Sequence, residues 1–497
     1  MSGLEVPLAF AGLAIGLPSL ADGLQKAGKS LLERIHHVEE GYRERYLLAK
    51  APTPDTLRDE LTRLFQALRD IYEDLLSVFP APKAGKEVIR LTKHQAKKAD
   101  RALVELEDWN GRFVNRALVF KLFGASPETS HAAATDKGEG AMAPRKIQRL
   151  RDAVMETLDK TKSQSDQLLL PASRSYDSEL LPDSSVYRCT PQDQAHAIFL
   201  AEYRIHSDNA PGRELQAHRK IVREIASILR QADPICMGLL HCYGFTYQAL
   251  SNRFELHYTL PPDYHNPRSL LDLLTSPETR RDGPNHPLNH RIDLAKQIAT
   301  ALFVLHSADM VHKQIRPDNI LIFEKKPNSS LSTSEQKRKS YPYTVGEPFL
   351  VGFDAVRKVD VKSQMAFVDE WQKNIYLSPE RHRLQDGDEY RVQHDLYSLG
   401  VILLEIAFWA SFQDKKARGV GSLIRKDDRV IGPEELKKVY LGLASGAVAR
   451  SMGERYAEVV KACLTGLEEQ SLEDADGITV ATAYVTEVIK GLEEIKI

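Results

Sequence analysis

The spacing of apolar residues predicts helices over most of the first third of the chain. Between Asp55 and Pro80, apolar residues alternate spacings of four and three without a break, which is typical of a helix that packs along a seam with another helix. These positions are Leu57, Leu61, Leu64, Leu68, Ile71, Leu75 and Val78. Similar apolar periods occur near the N-terminus, from about Lys86 and from about Pro144, so residues 1–162 are predicted to form an all-α four-helix bundle.

A second helical pattern lies further along the chain. Apolar residues recur with a helical period at residues 221–229 and again at residues 288–306. Between this part and the bundle, residues 163–185 contain Pro171 and Pro182 and are predicted to be a linker or brace.

The first segment of the predicted bundle is unusual because residues 6–21 carry no charge. At about 1.5 Å per residue, a helix of this length falls short of the roughly 20 residues that span a bilayer. The segment is either a buried helix of the bundle or one that leaves the core for lipid. Gly12, Gly16 and Pro18 fit the buried helix less well, since a purely structural helix gains nothing from them. The candidate membrane-acting residues are Leu8, Phe10, Leu13, Ile15 and Leu17.

One face of the third predicted helix carries basic residues at spacings of four and three, so they form a single stripe. They are Lys86, Arg90, Lys93, Lys97 and Arg101. Such a stripe is either a solvated helix face or a contact surface for anionic lipid headgroups, to which each basic residue adds about 1 kcal/mol. These five residues are the candidates for headgroup binding.

Composition removes several classes of function. The net charge of the 497-residue chain is −2, so the chain has no overall basic footprint for nucleic acid. Its four cysteines show no C-x-x-C spacing and no metal-ligand cluster is evident, so we expect reduced thiols and no metal site. The start of the chain lacks a secretory signal pattern, which leads us to expect a cytoplasmic location.

Residues 312–321 resemble the catalytic loop of protein kinases, H-R-D-L-x-x-x-N. In that family the Asp of the loop takes the proton of the substrate hydroxyl, and the Asn holds a magnesium ion. Here Gln314 stands at the Asp position, whereas His312 and Asn319 keep the family residue. An amide has no lone pair that titrates near neutral pH, so Gln314 cannot act as a general base.

Other kinase landmarks follow in the expected order and spacing. Gly352-Phe353-Asp354 lies where the family carries D-F-G, Ser378-Pro379-Glu380 is close to A-P-E, and Asp395 opens a D-x-Y-S-x-G pattern. The resemblance implies a multidomain chain in which the bundle is followed by an α+β, bilobal kinase-like domain. Its smaller lobe would cover residues 186–262 and its larger lobe residues 263–497.

The smaller lobe departs further from the family pattern. Arg204 stands where the resemblance places the ATP-binding Lys, and Glu224 matches the usual partner of that Lys on the following helix. No glycine occurs between Ala141 and Pro211, so the glycine-rich phosphate loop is missing.

These departures together imply a pseudokinase. Phosphoryl transfer depends on positioning and on charge neutralisation by a metal, and a general base alone is worth roughly 10²–10⁴-fold. Gly352 replaces the metal-binding Asp, and only Asp354, two residues late, could swing in instead. No cofactor is then required, and ATP binding is disfavoured but still open. The residues expected to persist because they brace the fold are His312, Asn319, Glu380 and Asp395.

A helical bundle joined by a brace to an inactive kinase domain resembles the mixed lineage kinase domain-like family of necroptosis executioners. The N-terminal run is also similar to fungal HeLo and HeLo-like domains. These resemblances imply a latent cytoplasmic protein whose pseudokinase restrains the bundle until an upstream activator or receptor protein, or a modification, releases it. The bundle would then homo-oligomerise, associate peripherally with membranes through anionic lipids and permeabilise them in regulated cell death.

Two other functions are compatible with the same sequence. A signalling scaffold or adaptor would bind partners through both lobes without any membrane activity. A divergent but active protein kinase would use ATP and would depend on Asp354.

Overall fold

The structure of the protein is a computed structural model in which the chain divides into two units, Met1–Arg145 and Lys146–Ile497. The residues that the structure describes are Arg101 and residues 168–171, 176–192, 198–205, 212–276, 286–307, 310–326, 341–353, 357–358, 371–383, 390–414, 420–426, 429–467 and 483–495. Except for Arg101, all of them lie in the second unit.

Most of the predicted bundle lies outside the described residues. This applies to the membrane-acting candidates Leu8, Phe10, Leu13, Ile15 and Leu17 and to the basic residues Lys86, Arg90, Lys93 and Lys97. Arg101, the last residue of the basic stripe, lies in a helix and is exposed. In the described part of the chain, no helix combines the length and the apolar character needed to cross a membrane. The four-helix bundle therefore stays a prediction.

The second unit begins with an antiparallel sheet. Five of the described strands form it, in the order β1-β2-β3-β5-β4. They are β1 Tyr176–Leu180, β2 Val186–Pro191, β3 Phe199–Ile205, β4 Cys242–Gln248 and β5 Arg253–Thr259. Helix α1, Gly212–Leu229, and the short helix α2, Pro234–Met237, connect β3 to β4. α1 packs on β4 and β5, because its apolar residues recur every three or four positions and form one buried face.

The sequence places residues 163–185 in a linker, and the structure corrects this boundary. Tyr176–Leu180 form the first strand of the sheet, and Leu169 bridges to Phe245 on β4. The strand was missed because four of its five residues are exposed and its sequence, Tyr-Asp-Ser-Glu-Leu, lacks the apolar alternation of a half-buried strand.

The remaining described elements form a mainly helical lobe. Its strands are β6 Tyr264–Ser269, β7 Met310–Val311, β8 Ile320–Lys325, β9 Glu347–Leu350, β10 Arg357–Lys358, β11 Arg425–Lys426 and β12 Arg429–Val430. Its helices are α3 Leu270–Thr275, α4 Leu288–Ser307, α5 Trp371–Asn374, α6 Val392–Phe408, α7 Val420–Leu423, α8 Pro433–Leu443, α9 Ala449–Met452, α10 Glu454–Thr465 and α11 Lys490–Glu493. The strands pair as β6-β8-β9, β7-β10 and β11-β12.

Helix α6 lies at the centre of this lobe because most of its residues are apolar and buried. It packs against α4 and α10. The hydroxyl of Tyr456 on α10 donates a hydrogen bond to the carbonyl oxygen of Leu403 on α6 at 3.0 Å. An element that is apolar on all sides is stable only when it is covered on all sides, and the surrounding helices supply that cover.

The buried carboxylate of Asp395 joins α6 to the loop after β7. Its Oδ2 accepts hydrogen bonds from the backbone N–H of His312 at 2.7 Å and from Nε2 of His306 at 3.0 Å. Its Oδ1 accepts from Lys313 N and from Tyr390 OH, both at 2.9 Å. Burial by itself raises the pKa of Asp395, but the hydrogen bonds, first that from His306, hold it below its ordinary value. Asp395 therefore stays ionised and fixes the loop.

A second carboxylate on α6 belongs to Glu405, and its pKa is shifted in the opposite direction. It is fully buried, and its Oε1 accepts hydrogen bonds from Tyr376 OH at 2.8 Å, Ser411 Oγ at 2.9 Å and Phe412 N at 2.8 Å. Its Oε2 has no hydrogen-bond partner among the described residues. Burial raises the pKa of Glu405 to about 7, although the three hydrogen bonds oppose the rise.

This raised pKa predicts a pH dependence of stability. The group loses its proton near pH 4.5 in the unfolded chain and near pH 7 in the folded chain. The folded state therefore binds more protons between these values, and Glu405 makes the free energy of unfolding fall as the pH rises from about 4.5 to about 7. We expect Glu405→Gln to remove this part of the slope, whereas Glu435→Gln at an exposed position leaves it unchanged. Urea unfolding at several pH values measures the slope, and a Glu405→Gln profile parallel to that of the parent chain would contradict the assignment.

Candidate functional site

The loop between β7 and β8 carries the residues that resemble a kinase catalytic loop. His312 is buried, and its Nε2 donates a hydrogen bond to the carbonyl oxygen of Val351 at 2.9 Å. A 3₁₀ turn at Pro317–Asn319 ends the loop, and the backbone N–H of Val351 donates to the carbonyl oxygen of Asn319 at 3.0 Å. His312 and Asn319 thus join the loop to the segment that follows β9.

Both ends of the Asn319 side chain are engaged by the protein itself. Its Nδ2 donates to the backbone carbonyl of Gln314 at 3.0 Å, and its Oδ1 accepts a long hydrogen bond from Ser185 Oγ at 3.4 Å. In protein kinases the corresponding oxygen binds magnesium. Here the oxygen faces a hydroxyl that comes from the loop between β1 and β2.

Gly352, at the position of the metal-binding Asp, is in a conformation that disfavours any side chain. Its φ is +85°, in the region that favours glycine. A Cβ at this position would lie 2.4 Å from Cγ of Asn319. The side chain of Asn319 therefore occupies the space that a carboxylate at position 352 would need.

A carboxylate from β3 lies beside this point. Glu202 accepts hydrogen bonds from the backbone N–H of Gly352 at 2.8 Å on Oε1 and from that of Phe353 at 2.9 Å on Oε2. Its side chain is 5% exposed. An acid on β3 thus lies beside the D-F-G position, whereas in a kinase the corresponding strand carries the Lys that neutralises phosphate charge.

The sequence predicts Arg204 at the position of that Lys, whereas the structure brings Glu202 to Gly352 and Phe353. The two residues share one face of β3 because side chains alternate along a strand. Alternation alone would therefore allow either residue to face the cleft at this point. The pairing of Glu202 with Leu256 on β5 fixes the register of the strand and so decides which residue does. Sequence reasoning missed Glu202, although a charged residue inside a largely apolar strand was a signal that could have found it.

The loop between β1 and β2, residues 181–185, lies against the helical lobe. Ser269 Oγ donates to the carbonyl oxygen of Pro182 at 2.9 Å, and Thr275 Oγ1 donates to Asp183 Oδ2 at 3.3 Å. This loop holds the place of the glycine-rich phosphate loop, but it contains an acid and no glycine. Together with the contact between Ser185 and Asn319, these bonds close the cleft across the region where phosphates would lie.

The other residues predicted for the site have different surroundings. Glu224 on α1 forms an ion pair with Lys220, one turn earlier on the same helix, at 3.9 Å. The Phe353 ring is buried, with its centroid 5.3 Å from that of His312. The side chain of Glu380 is 64% exposed, and its Oε2 lies 3.6 Å from Nε2 of His394. Asp354 lies outside the described residues.

No metal or nucleophile site emerges from the described residues. Among them, no group of three or more His, Cys, Asp and Glu side chains is placed to hold a metal ion. Cys189, Cys242 and Cys463 are buried and form no disulfide. Burial raises the pKa of the Cys189 and Cys242 thiols to about 12, so both stay protonated and unreactive near neutral pH.

Comparison with known proteins covers the same region. Residues 183–431 match the family model described as the protein kinase domain. The match begins in the loop between β1 and β2 and ends just after β12, so it includes every side of the cleft. A comparison with curated proteins gave no match.

The surroundings of Gly352 and Gly442 predict whether replacement by alanine lowers or raises the free energy of unfolding. Gly352→Ala should lower the free energy of unfolding by more than about 1 kcal/mol, since a positive φ strains an L-residue by roughly this amount and the added Cβ also meets Asn319. Gly442→Ala should instead raise it by about 0.5–1 kcal/mol, because Gly442 lies in helix α8 with open space around its Cα. Chemical unfolding measures both values, and a neutral or stabilising Gly352→Ala would contradict the packing described here.

Proposed function

Because the chain belongs to the protein kinase family, we propose that its kinase domain is a pseudokinase, which has kept the fold and lost phosphoryl transfer. Support comes first from the groups that would have to do the chemistry. Gln314 cannot accept the proton of a substrate hydroxyl, and Gly352 offers no carboxylate to a metal ion.

The observation that carries the proposal is the position of Glu202. Phosphoryl transfer needs positive charge around the β- and γ-phosphates. A buried acid lies beside Gly352 instead, and an acid cannot neutralise phosphate charge. Its two hydrogen bonds to backbone N–H groups hold Glu202 in this position.

The loop between β1 and β2 also disfavours nucleotide binding. Asp183 adds a second acid where a kinase presents backbone N–H groups to phosphate, and its carboxylate is hydrogen-bonded to Thr275. Admitting a nucleotide would require breaking the bonds of Pro182, Asp183 and Ser185 to the helical lobe. We therefore propose that the domain binds no magnesium–ATP and requires no cofactor.

A domain without chemistry acts through contacts, and the wider function follows from what precedes it in the chain. We propose that the pseudokinase restrains the N-terminal helical bundle in a cytoplasmic, latent state. An upstream activator or receptor protein would release the bundle, which would homo-oligomerise and permeabilise membranes that contain anionic lipids. The support is the uncharged run at residues 6–21 and the basic stripe that ends at Arg101.

The first test concerns nucleotide and phosphoryl transfer. We predict that millimolar ATP, with or without magnesium, leaves the unfolding temperature of the full chain unchanged, because Glu202 and Asp183 repel the phosphates. We also predict no phosphate incorporation from radiolabelled ATP, either in the parent chain or in Gln314→Asp, since restoring a base leaves the metal carboxylate absent. Incorporation that Asp354→Ala abolishes would instead establish a divergent active kinase.

The second test concerns the membrane. A protease site inserted between residues 162 and 168 of the full chain allows the bundle to be released during the assay. We predict dye leakage from liposomes that contain anionic lipid only after cleavage, and a reduction by Lys93→Glu combined with Lys97→Glu, because both residues lie on the basic stripe. The matched control reverses Lys437 and Lys438 on α8 and should leave leakage unchanged. If cleaved and intact chains both leave the liposomes sealed, the function is that of a scaffold.

A further inference from the structure

The two edges of the β1–β5 sheet differ in whether the chain covers them. At the β4 edge, Leu169 forms a bridge with Phe245, and the backbone N–H of Leu170 donates to the Phe245 carbonyl oxygen at 2.8 Å. This segment lies so close to β4 that a Cβ on Gly244 would be 2.7 Å from the carbonyl oxygen of Leu168. The chain thus covers this edge with its own backbone.

Strand β1 forms the opposite edge, which the described residues leave open. All five of its residues pair in register with β2, and no described residue pairs with its outer side. Residues 177–180 are exposed. Proteins commonly protect such an edge with lysine, proline or a bulge. β1 contains none of these three, and its only charged residues are the acids Asp177 and Glu179, which would attract a basic segment.

The side chains of β1 give this edge a definite chemical pattern. Asp177 and Glu179 lie on one face of the strand, and Ser178 and Leu180 lie on the other, because side chains alternate. On the inner side, Gln192 donates to Asp177 at 3.2 Å, and Arg188 on β2 lies opposite Glu179. The outer side is left to solvent. Leu180 is 49% exposed, so it can contact an apolar residue of a partner.

The strand is also held rigidly. The hydroxyl of Tyr176 donates to Glu255 on β5, across the width of β2 and β3. Glu255 also accepts from Thr246 Oγ1 at 3.0 Å and from Arg253 Nε at 2.7 Å. Burial by itself raises the pKa of Glu255, but its hydrogen bonds, first that with His257, lower it to about 2, so the anchor stays ionised. A fixed edge loses little conformational entropy when a partner binds.

We propose that the open edge of β1 is a docking site for an extended segment of a partner protein. The segment adds to the sheet as a further strand, with basic residues beside Asp177 and Glu179 and an apolar residue beside Leu180. Backbone hydrogen bonds provide affinity in this mode of recognition, and the alternate side chains provide specificity. The motif that fits is basic, any residue, basic, apolar in parallel pairing, and the reverse order in antiparallel pairing.

A second copy of the same chain fits this edge less well than a different protein does. Two β1 strands related by a twofold axis pair in antiparallel fashion. When they are centred on Ser178, Asp177 of one strand lies opposite Glu179 of the other, and like charges directly opposite each other destabilise a strand pair. A basic partner replaces this repulsion by attraction at both positions. The site also lies on the outer edge of the sheet, so it does not rest on the loss of phosphoryl transfer.

Fluorescence polarisation with the full chain tests the proposal. The probe is a labelled peptide, Thr-Lys-Thr-Lys-Leu-Thr, with lysines at alternate positions before a leucine. One control peptide has the same composition with adjacent lysines, and another carries N-methyl groups on alternate backbone amides. We expect the probe to bind and the reordered peptide to bind up to about fivefold more weakly, because one lysine falls on the wrong face. N-methylation should abolish binding because it removes backbone donors.

Charge reversal on the protein completes the test. Asp177→Lys combined with Glu179→Lys should weaken binding by about tenfold or more, since two attractive cross-strand pairs become repulsive. Glu435→Lys with Glu487→Lys makes the same charge change at exposed residues of the helical lobe and should leave binding unchanged. The proposal is overturned if no peptide binds, if binding ignores N-methylation or reversal at β1, or if sedimentation shows the chain self-associating through β1.

Discussion

The pair of hydrogen bonds from the backbone of Gly352 and Phe353 to Glu202 joins the five-stranded sheet to the segment after β9. These bonds hold a buried carboxylate beside the position where the protein kinase family carries its metal-binding Asp. The side chain cannot turn away without leaving two N–H groups unsatisfied in a buried place, at a cost of about 1–3 kcal/mol each. The positive φ of Gly352 and the inward side chain of Asn319 fit this same arrangement, so these residues together shape this part of the cleft.

The kinase residues that the chain retains have structural roles that do not depend on catalysis. Asp395 accepts hydrogen bonds from the backbone of His312 and Lys313, and His312 in turn donates to the carbonyl of Val351. Each bond ties one loop of the helical lobe to another, and none of them involves a group that would touch substrate. A fold of this kind can lose a base and a metal ligand and keep its shape, because the residues that shape the loops differ from those that move protons or hold phosphate.

The kinase-like fold of the C-terminal part and one of its long helices could be predicted from the sequence. The apolar period at residues 288–306 matches α4, Leu288–Ser307, because a long buried helix repeats its signal over many turns. The kinase-like α+β fold predicted for the C-terminal part is confirmed by the family match. Strand β1 and the role of Glu202 were missed, since an exposed edge strand has no apolar alternation and a strand's register depends on pairing with distant residues.

The same sheet connects the closed cleft to the open edge. Glu202 lies on β3, the middle strand, and β1 is joined to it through β2 and through the bond from Tyr176 to Glu255. The loop between β1 and β2 carries Asp183 and Ser185 onto the helical lobe. A strand added to β1 would therefore lie beside the hairpin that closes the cleft, and it would meet a surface already held on two sides. Such a surface would bind a partner strand without rearrangement, which suits the proposed role of the domain in contacts with other proteins.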